Sequence, residues 1–95
     1  MYESTNYELY LIFSISLGEE KTEEFLKKVV NIINMAGAVG DINKWGKKRL
    51  AYEIKKEAEG FYILINFESE RKIPLEIERV AGITDGVLRS LIVKK

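Results

Sequence analysis

Ninety-five residues, 46% hydrophobic and 32% charged, suffice for one domain built on one core, residues 1–95, and are too few for two. Fifteen basic and fifteen acidic side chains cancel, and the chain contains neither cysteine nor histidine. Disulfides, thiolate metal sites and the commonest general bases are thereby excluded, so neither a metal, a cofactor nor an enzymatic activity is expected. No signal-like N-terminus and no apolar run of about 18 residues is present, so a cytoplasmic protein is expected.

The stretch NYELYLIFSIS, 6–16, alternates Tyr7, Leu9, Leu11, Phe13 and Ile15 with Glu8, Tyr10, Ile12 and Ser14, the period of a strand. Ser16 and Glu19 have capping-box spacing, acids crowd the following turn, and Phe25, Leu26, Val29, Val30, Ile32, Ile33 and Met35 follow at helical spacing. Gly37 suits the left-handed residue that ends such a helix. A long strand interrupted at Gly46 comes next, then EAEG as a turn into the strand GFYILINFE. Pro74 suits the first turn of a second helix carrying Leu75, Ile77, Val80 and Ala81, closed by Gly82, before the last strand GVLRSLIVK.

The order strand, helix, strand, strand, helix, strand predicts an α+β domain of the ferredoxin-like, split βαβ class: a four-stranded antiparallel sheet with two helices on one face. The helices take the more apolar sheet face, so Leu9, Leu11, Phe13, Ile15, Phe61, Ile63, Ile65 and Phe67 are the expected core. Tyr10, Ile12, Tyr62, Leu64 and Asn66 then stand on the open face. Arg89, Leu91 and Val93 share one side of the last strand, and apolarity does not decide which. If they point outward they extend a patch of the kind that marks an interaction surface; scattered surface hydrophobes are the plainer account.

Charge is uneven along this neutral chain. Residues 1–43 carry net −4, KWGKKRLAYEIKK (44–56) carries +5, and residues 57–95 carry −1. A run of that kind is either an anion-binding surface or a solvated edge that blocks sheet-edge aggregation. With Leu50, Tyr52 and Ile54 turned to the core, alternation places Arg49, Ala51 and Glu53 outward, with Lys47 and Trp45 on that side unless Gly46 shifts the register. Trp45 among cations could stack a base while Lys and Arg meet phosphates, or could be a packed hairpin corner. GFYILINF lacks the basic residue and glycines of the RNA-recognition-motif signature, which weighs against direct stacking by Tyr62.

WGKKRLAYEIKK, EGFYILINFE and ITDGVLRSLIVKK, preceded by YELYLIF, together resemble the S-six family of bacterial small-subunit ribosomal proteins, in order and over nearly the whole chain. The most specific positions are Gly46, Arg49, Leu50, Ala51, Tyr52 and Ile54, then Gly60 and Tyr62, then Asp85, Val87, Leu88 and Arg89, with Tyr7 and Glu8 matching the opening pair. The resemblance implies the same fold, no catalysis, and a place in the central domain of small-subunit ribosomal RNA beside the small ribosomal protein S-eighteen. RNA contacts are then expected from Trp45, Lys47, Lys48, Arg49, Lys94 and Lys95. Protein contacts are expected from Tyr10, Ile12, Tyr62, Leu64, Arg89, Leu91 and Val93.

The chain departs from the family at Glu53, where relatives commonly have proline, and at Glu3, Ser4, Thr5 and Asn6, where many carry arginines. Two other classes compete. A self-associating, ligand-sensing ferredoxin-like domain would use the same open face. A small acyl-phosphate hydrolase of this fold would need a glycine-rich anion loop with an arginine after the first strand, where Ser16, Leu17, Gly18 and Glu19 offer an acid instead.

Overall fold

Alternation of Leu9, Leu11 and Phe13 with Glu8, Tyr10 and Ile12 makes β1 (Thr5–Ser14) a strand with one face fully buried. The protein is seen here as a computed structural model that describes residues 4–95; Glu3 lies outside the described residues. A single 3-10 turn, Ile15–Leu17, leads into α1 (Gly18–Asn34), followed by β2 (Gly37–Ile54), β3 (Glu57–Ser69), α2 (Lys72–Ile83) and β4 (Val87–Lys94). The sheet is antiparallel in every pairing, in the order β2-β3-β1-β4. β3 therefore lies between β1 and β2, and β1 between β3 and β4, which is the split βαβ arrangement expected.

Leu9, Leu11, Phe13, Ile63, Ile65 and Phe67 from the sheet meet Phe25, Leu26, Val29 and Ile33 of α1 and Ile73, Ile77 and Ala81 of α2. Each fully buried large apolar side chain of this kind contributes about 1.5–3 kcal/mol. Phe13 packs edge-on against Phe25 at 5.5 Å between ring centroids, which seats α1 on the sheet. Phe61 is partly buried against this cluster.

Several boundaries differ from the sequence expectation. β1 stops at Ser14, and Ile15 leaves the strand for the 3-10 turn. The Ser14 hydroxyl accepts the Ser16 N–H, and no side chain caps α1, so the Ser16/Glu19 capping box does not form. Met35, at the end of the apolar stripe, is 77% exposed because the helix ends before it can turn inward. Gly37 is not left-handed: it opens β2, where a Cβ would lie 2.1 Å from the Glu68 carbonyl oxygen, so close strand approach is what requires glycine there. α2 runs through Gly82 to Ile83, and Leu75 is exposed. The β2–β3 turn is Lys55-Lys56, with Ile54 opposite Glu57, rather than EAEG.

Candidate nucleic-acid and protein interface

Residues directly opposite one another in an antiparallel ladder share a face. Tyr10 stands opposite both Leu64 and Leu91, Ile12 opposite both Tyr62 and Arg89, and Glu8 opposite both Asn66 and Val93. Arg89, Leu91 and Val93 are thus on the helix-free face with the other expected members, the choice that apolarity left open. Leu91 is 49% exposed, and the Tyr10, Ile12, Tyr62 and Leu64 side chains are half-buried. Leu88 breaks the alternation. The ladder slips between Ile12 and Phe13, and Leu88 packs beside Gly60 and Ile12, where a glycine Cβ would be 2.7 Å from the Ile12 side chain.

Gly46, at φ 81, is the bulge that organises the basic strand. Lys44 stands opposite Ile63, on the helix side, and pairs with Glu23 of α1. Trp45 crosses to the open face, its ring edge-on to Tyr10 at 6.5 Å, with Lys48 Nζ 5.9 Å from the indole centroid. After the bulge Lys47 is opposite Phe61 and Arg49 opposite Glu59, both on the helix side, while Lys48 is opposite Gly60 on the open side. The extra residue reverses the parity as far as Arg49, and a second irregularity between Arg49 and Ile54 interrupts the alternation again, so the expected inward row of Leu50, Tyr52 and Ile54 does not form. Leu50 is buried outside the main core, Ile54 is half-buried, and Tyr52 is 63% exposed. The Tyr52 hydroxyl accepts a hydrogen bond from Arg89 Nη1 at 2.8 Å.

The six expected RNA-binding residues do not form one patch. Lys47, Lys48 and Arg49 lie near the Ser14 end of β1 and Trp45 nearer its middle, beside Tyr10, whereas Lys94 is opposite Tyr7 and Lys95 donates its N–H to the Asn6 carbonyl, at the other end. Seven strand residues, roughly 23 Å, separate the groups, along a molecule 45 Å in its longest dimension. Tyr10, at the centre of the open face, donates to Glu8 Oε2 at 3.0 Å. That bond to a carboxylate, with lesser help from desolvation and the carboxylate's charge, holds the phenol above its ordinary pKa.

The segment from Ser14 to Glu19, where an acyl-phosphate hydrolase would cradle its anion, contains no basic residue. A groove of about 510 Å³ runs between α1 and the β2 edge, lined by Leu26, Val30, Ile42 and the paired Glu23 and Lys44. Sequence reasoning missed Tyr52 as a surface residue and Lys55 and Lys56 as the turn. The readable signal was Gly46, since a glycine bulge inverts the side chains that follow it until the next irregularity, here as far as Arg49.

An open antiparallel sheet bearing aromatic, aliphatic and cationic side chains, backed by two helices, places the chain in the class of ferredoxin-like α+β domains with one uncovered sheet face. Residues 6–94 match the family model for ribosomal protein S6. The chain is 44% identical over 90 residues to small ribosomal subunit protein bS6 of Clostridium perfringens, covering 94% of this chain and 95% of that one. It is likewise 44% identical over 90 residues to the protein of that name from Thermoanaerobacter pseudethanolicus, with the same coverage. The crystal structure of 30S ribosomal protein S6 from Thermotoga maritima superposes with a TM-score of 0.90 at 27% identity, covering 98% of this chain and 89% of that one. The chain belongs to the ribosomal protein S6 family, whose members are structural proteins of the small subunit rather than enzymes. Membership places it in the ribosome, in the cytoplasm.

Proposed function

We propose that this protein binds the central domain of small-subunit ribosomal RNA jointly with the S-eighteen protein, which docks on the open sheet face. The observation that carries this reading is the placement of Trp45 beside Tyr10 with Lys48 Nζ over the indole, which joins the cationic strand to the apolar face. The open-face residues Tyr10, Ile12, Tyr62, Leu64, Arg89, Leu91 and Val93 offer a protein partner a mixed apolar and polar surface. Lys47, Lys48 and Arg49 at one end, and Lys94 and Lys95 at the other, reach phosphates on either side of that surface. Zero net charge with so few clustered cations releases few counterions, so RNA affinity of the protein alone is weak and the partner supplies the remainder.

A filter-binding titration with the RNA, the S-eighteen protein and both together tests this. Weak binding alone and marked strengthening by the partner is the expected result. Tight binding alone, unchanged by the partner, contradicts it. The self-associating alternative predicts a homodimer through the open face, which sedimentation of the free protein by analytical ultracentrifugation detects.

A further inference from the structure

The β2–β3 hairpin closes in a two-residue loop whose central positions, Lys55 at φ 50 and Lys56 at φ 67, are both left-handed. Asn-Gly is the pair that such a loop favours, because Cβ crowds the backbone carbonyl at positive φ, glycine has no Cβ, and the asparagine side chain offsets the strain by bonding local backbone. Backbone held in a sparsely populated region points toward function when the residue types are not those the geometry prefers.

The surroundings of the turn give that observation a ligand. β1 pairs with β3 only as far as Ser14 opposite Gly60, so the hairpin beyond this level has no third strand beside it. Neither Lys55 nor Lys56 pairs with a carboxylate among the described residues. Two of the nearby acids are engaged: the Ser14 hydroxyl donates to Glu57 Oε1 at 2.6 Å, and Lys47 Nζ lies 3.6 Å from Glu59. Arg49 and Lys48 stand further down the same ribbon, opposite Glu59 and Gly60, two and three β3 residues from the Ile54–Glu57 pair that closes the turn, roughly 7–10 Å at the rise of an extended strand. Cations spaced along a projecting ribbon suit a polyanion with charges repeated along its length.

We propose that the Lys55-Lys56 turn is a phosphate-binding tip that touches the sugar-phosphate backbone of RNA, and that lysine occupies this turn for that purpose. The proposal rests on the RNA-binding function above and adds to it an anchor at the far end of the hairpin. Interactions of this type position RNA without reading its sequence.

The test uses the full chain with two variants, Lys55→Asn/Lys56→Gly and Lys55→Gln/Lys56→Gln. Each is titrated with central-domain ribosomal RNA and the S-eighteen protein at several salt concentrations, and melted alone. The Asn-Gly variant should melt higher than the parent, because its turn is relaxed. Both variants should bind the RNA about tenfold more weakly near 0.1 M salt, with the salt slope shallower by about 1.4–1.8 for two phosphates no longer neutralised. Lys55→Arg/Lys56→Arg should restore both quantities. If the parent binds RNA and the two neutral variants match it in affinity and slope, the tip proposal is overturned while the RNA function stands. If the parent binds no RNA, the function fails and the tip proposal with it. Weakened affinity for the partner protein alone, with RNA binding unaltered, assigns the tip to protein and also overturns the proposal.

Discussion

Arg89 Nη1 donates to the Tyr52 hydroxyl at 2.8 Å, linking β4 to the far part of the β2–β3 hairpin although two strands lie between β2 and β4 in the sheet. The bond is exposed, so its net contribution to global stability is small, within about 0.5 kcal/mol. Its local effect is larger, because the hairpin beyond Gly60 has no neighbouring strand to hold it. Tyr52→Phe should leave the melting temperature nearly unchanged and speed amide exchange between Leu50 and Glu59, with exchange in the Leu9 to Phe13 segment unaffected. Unchanged exchange in the hairpin would show that the bond does not restrain it.

The two sheet faces make opposite predictions for neighbouring residues of β3. Leu64 stands opposite Tyr10 on the open face and is half-buried, whereas Ile65 is fully buried beneath the helices. Leu64→Asp should remain folded by circular dichroism and lose affinity for the S-eighteen protein. Ile65→Ala should instead cost about 2–5 kcal/mol in denaturant unfolding, the range for emptying a well-packed core site. Unfolding of the Leu64 variant would show that the open face contributes to the core.

Strand alternation after the Gly46 bulge divides the basic strand, with Lys48 on the open side and Lys47 and Arg49 on the helix side. Replacing all three by alanine should preserve folding, since surface substitutions usually stay within roughly ±0.5 kcal/mol each. Affinity for the complex of RNA and partner should fall, with the salt slope reduced by up to about 0.9 for each phosphate that a removed cation had neutralised. Single substitutions then tell which side faces the RNA. A slope that no substitution alters would leave the cluster as a solubilising edge.

The fold was legible because its two periods are clean. Leu9, Leu11 and Phe13 at every second residue, and Phe25, Leu26, Val29 and Ile33 at helical spacing, each define one buried face without ambiguity. Legibility failed where one residue changes parity. Gly46 turned Lys47 and Arg49 away from Trp45, and the slip at Leu88 placed an apolar side chain on the open side of β4. It failed again at the chain reversal: two lysines at positive φ carry no composition signal for a turn, whereas EAEG contains the glycine that usually marks one. Gly60 instead sits within β3, where Ile12 and the Phe13 carbonyl leave no room for a side chain.

Tyr10 provides a pH-dependent reporter at the centre of the proposed protein-binding face. Its phenol donates to Glu8 Oε2, and the protonated form is favoured because ionisation would remove that donor and set a phenolate against a carboxylate. The folded-state pKa is raised, so the associated stabilisation is present below the ordinary phenol range and is lost as pH rises through the folded value. An ultraviolet difference titration of the parent against Tyr10→Phe isolates this phenol from the other tyrosines. Tyr10 should ionise above the ordinary phenol range in the parent, and Glu8→Gln should bring it down by removing the charged acceptor. Identical titration of Tyr10 in the parent and the Glu8 variant would show that the hydrogen bond is absent in solution.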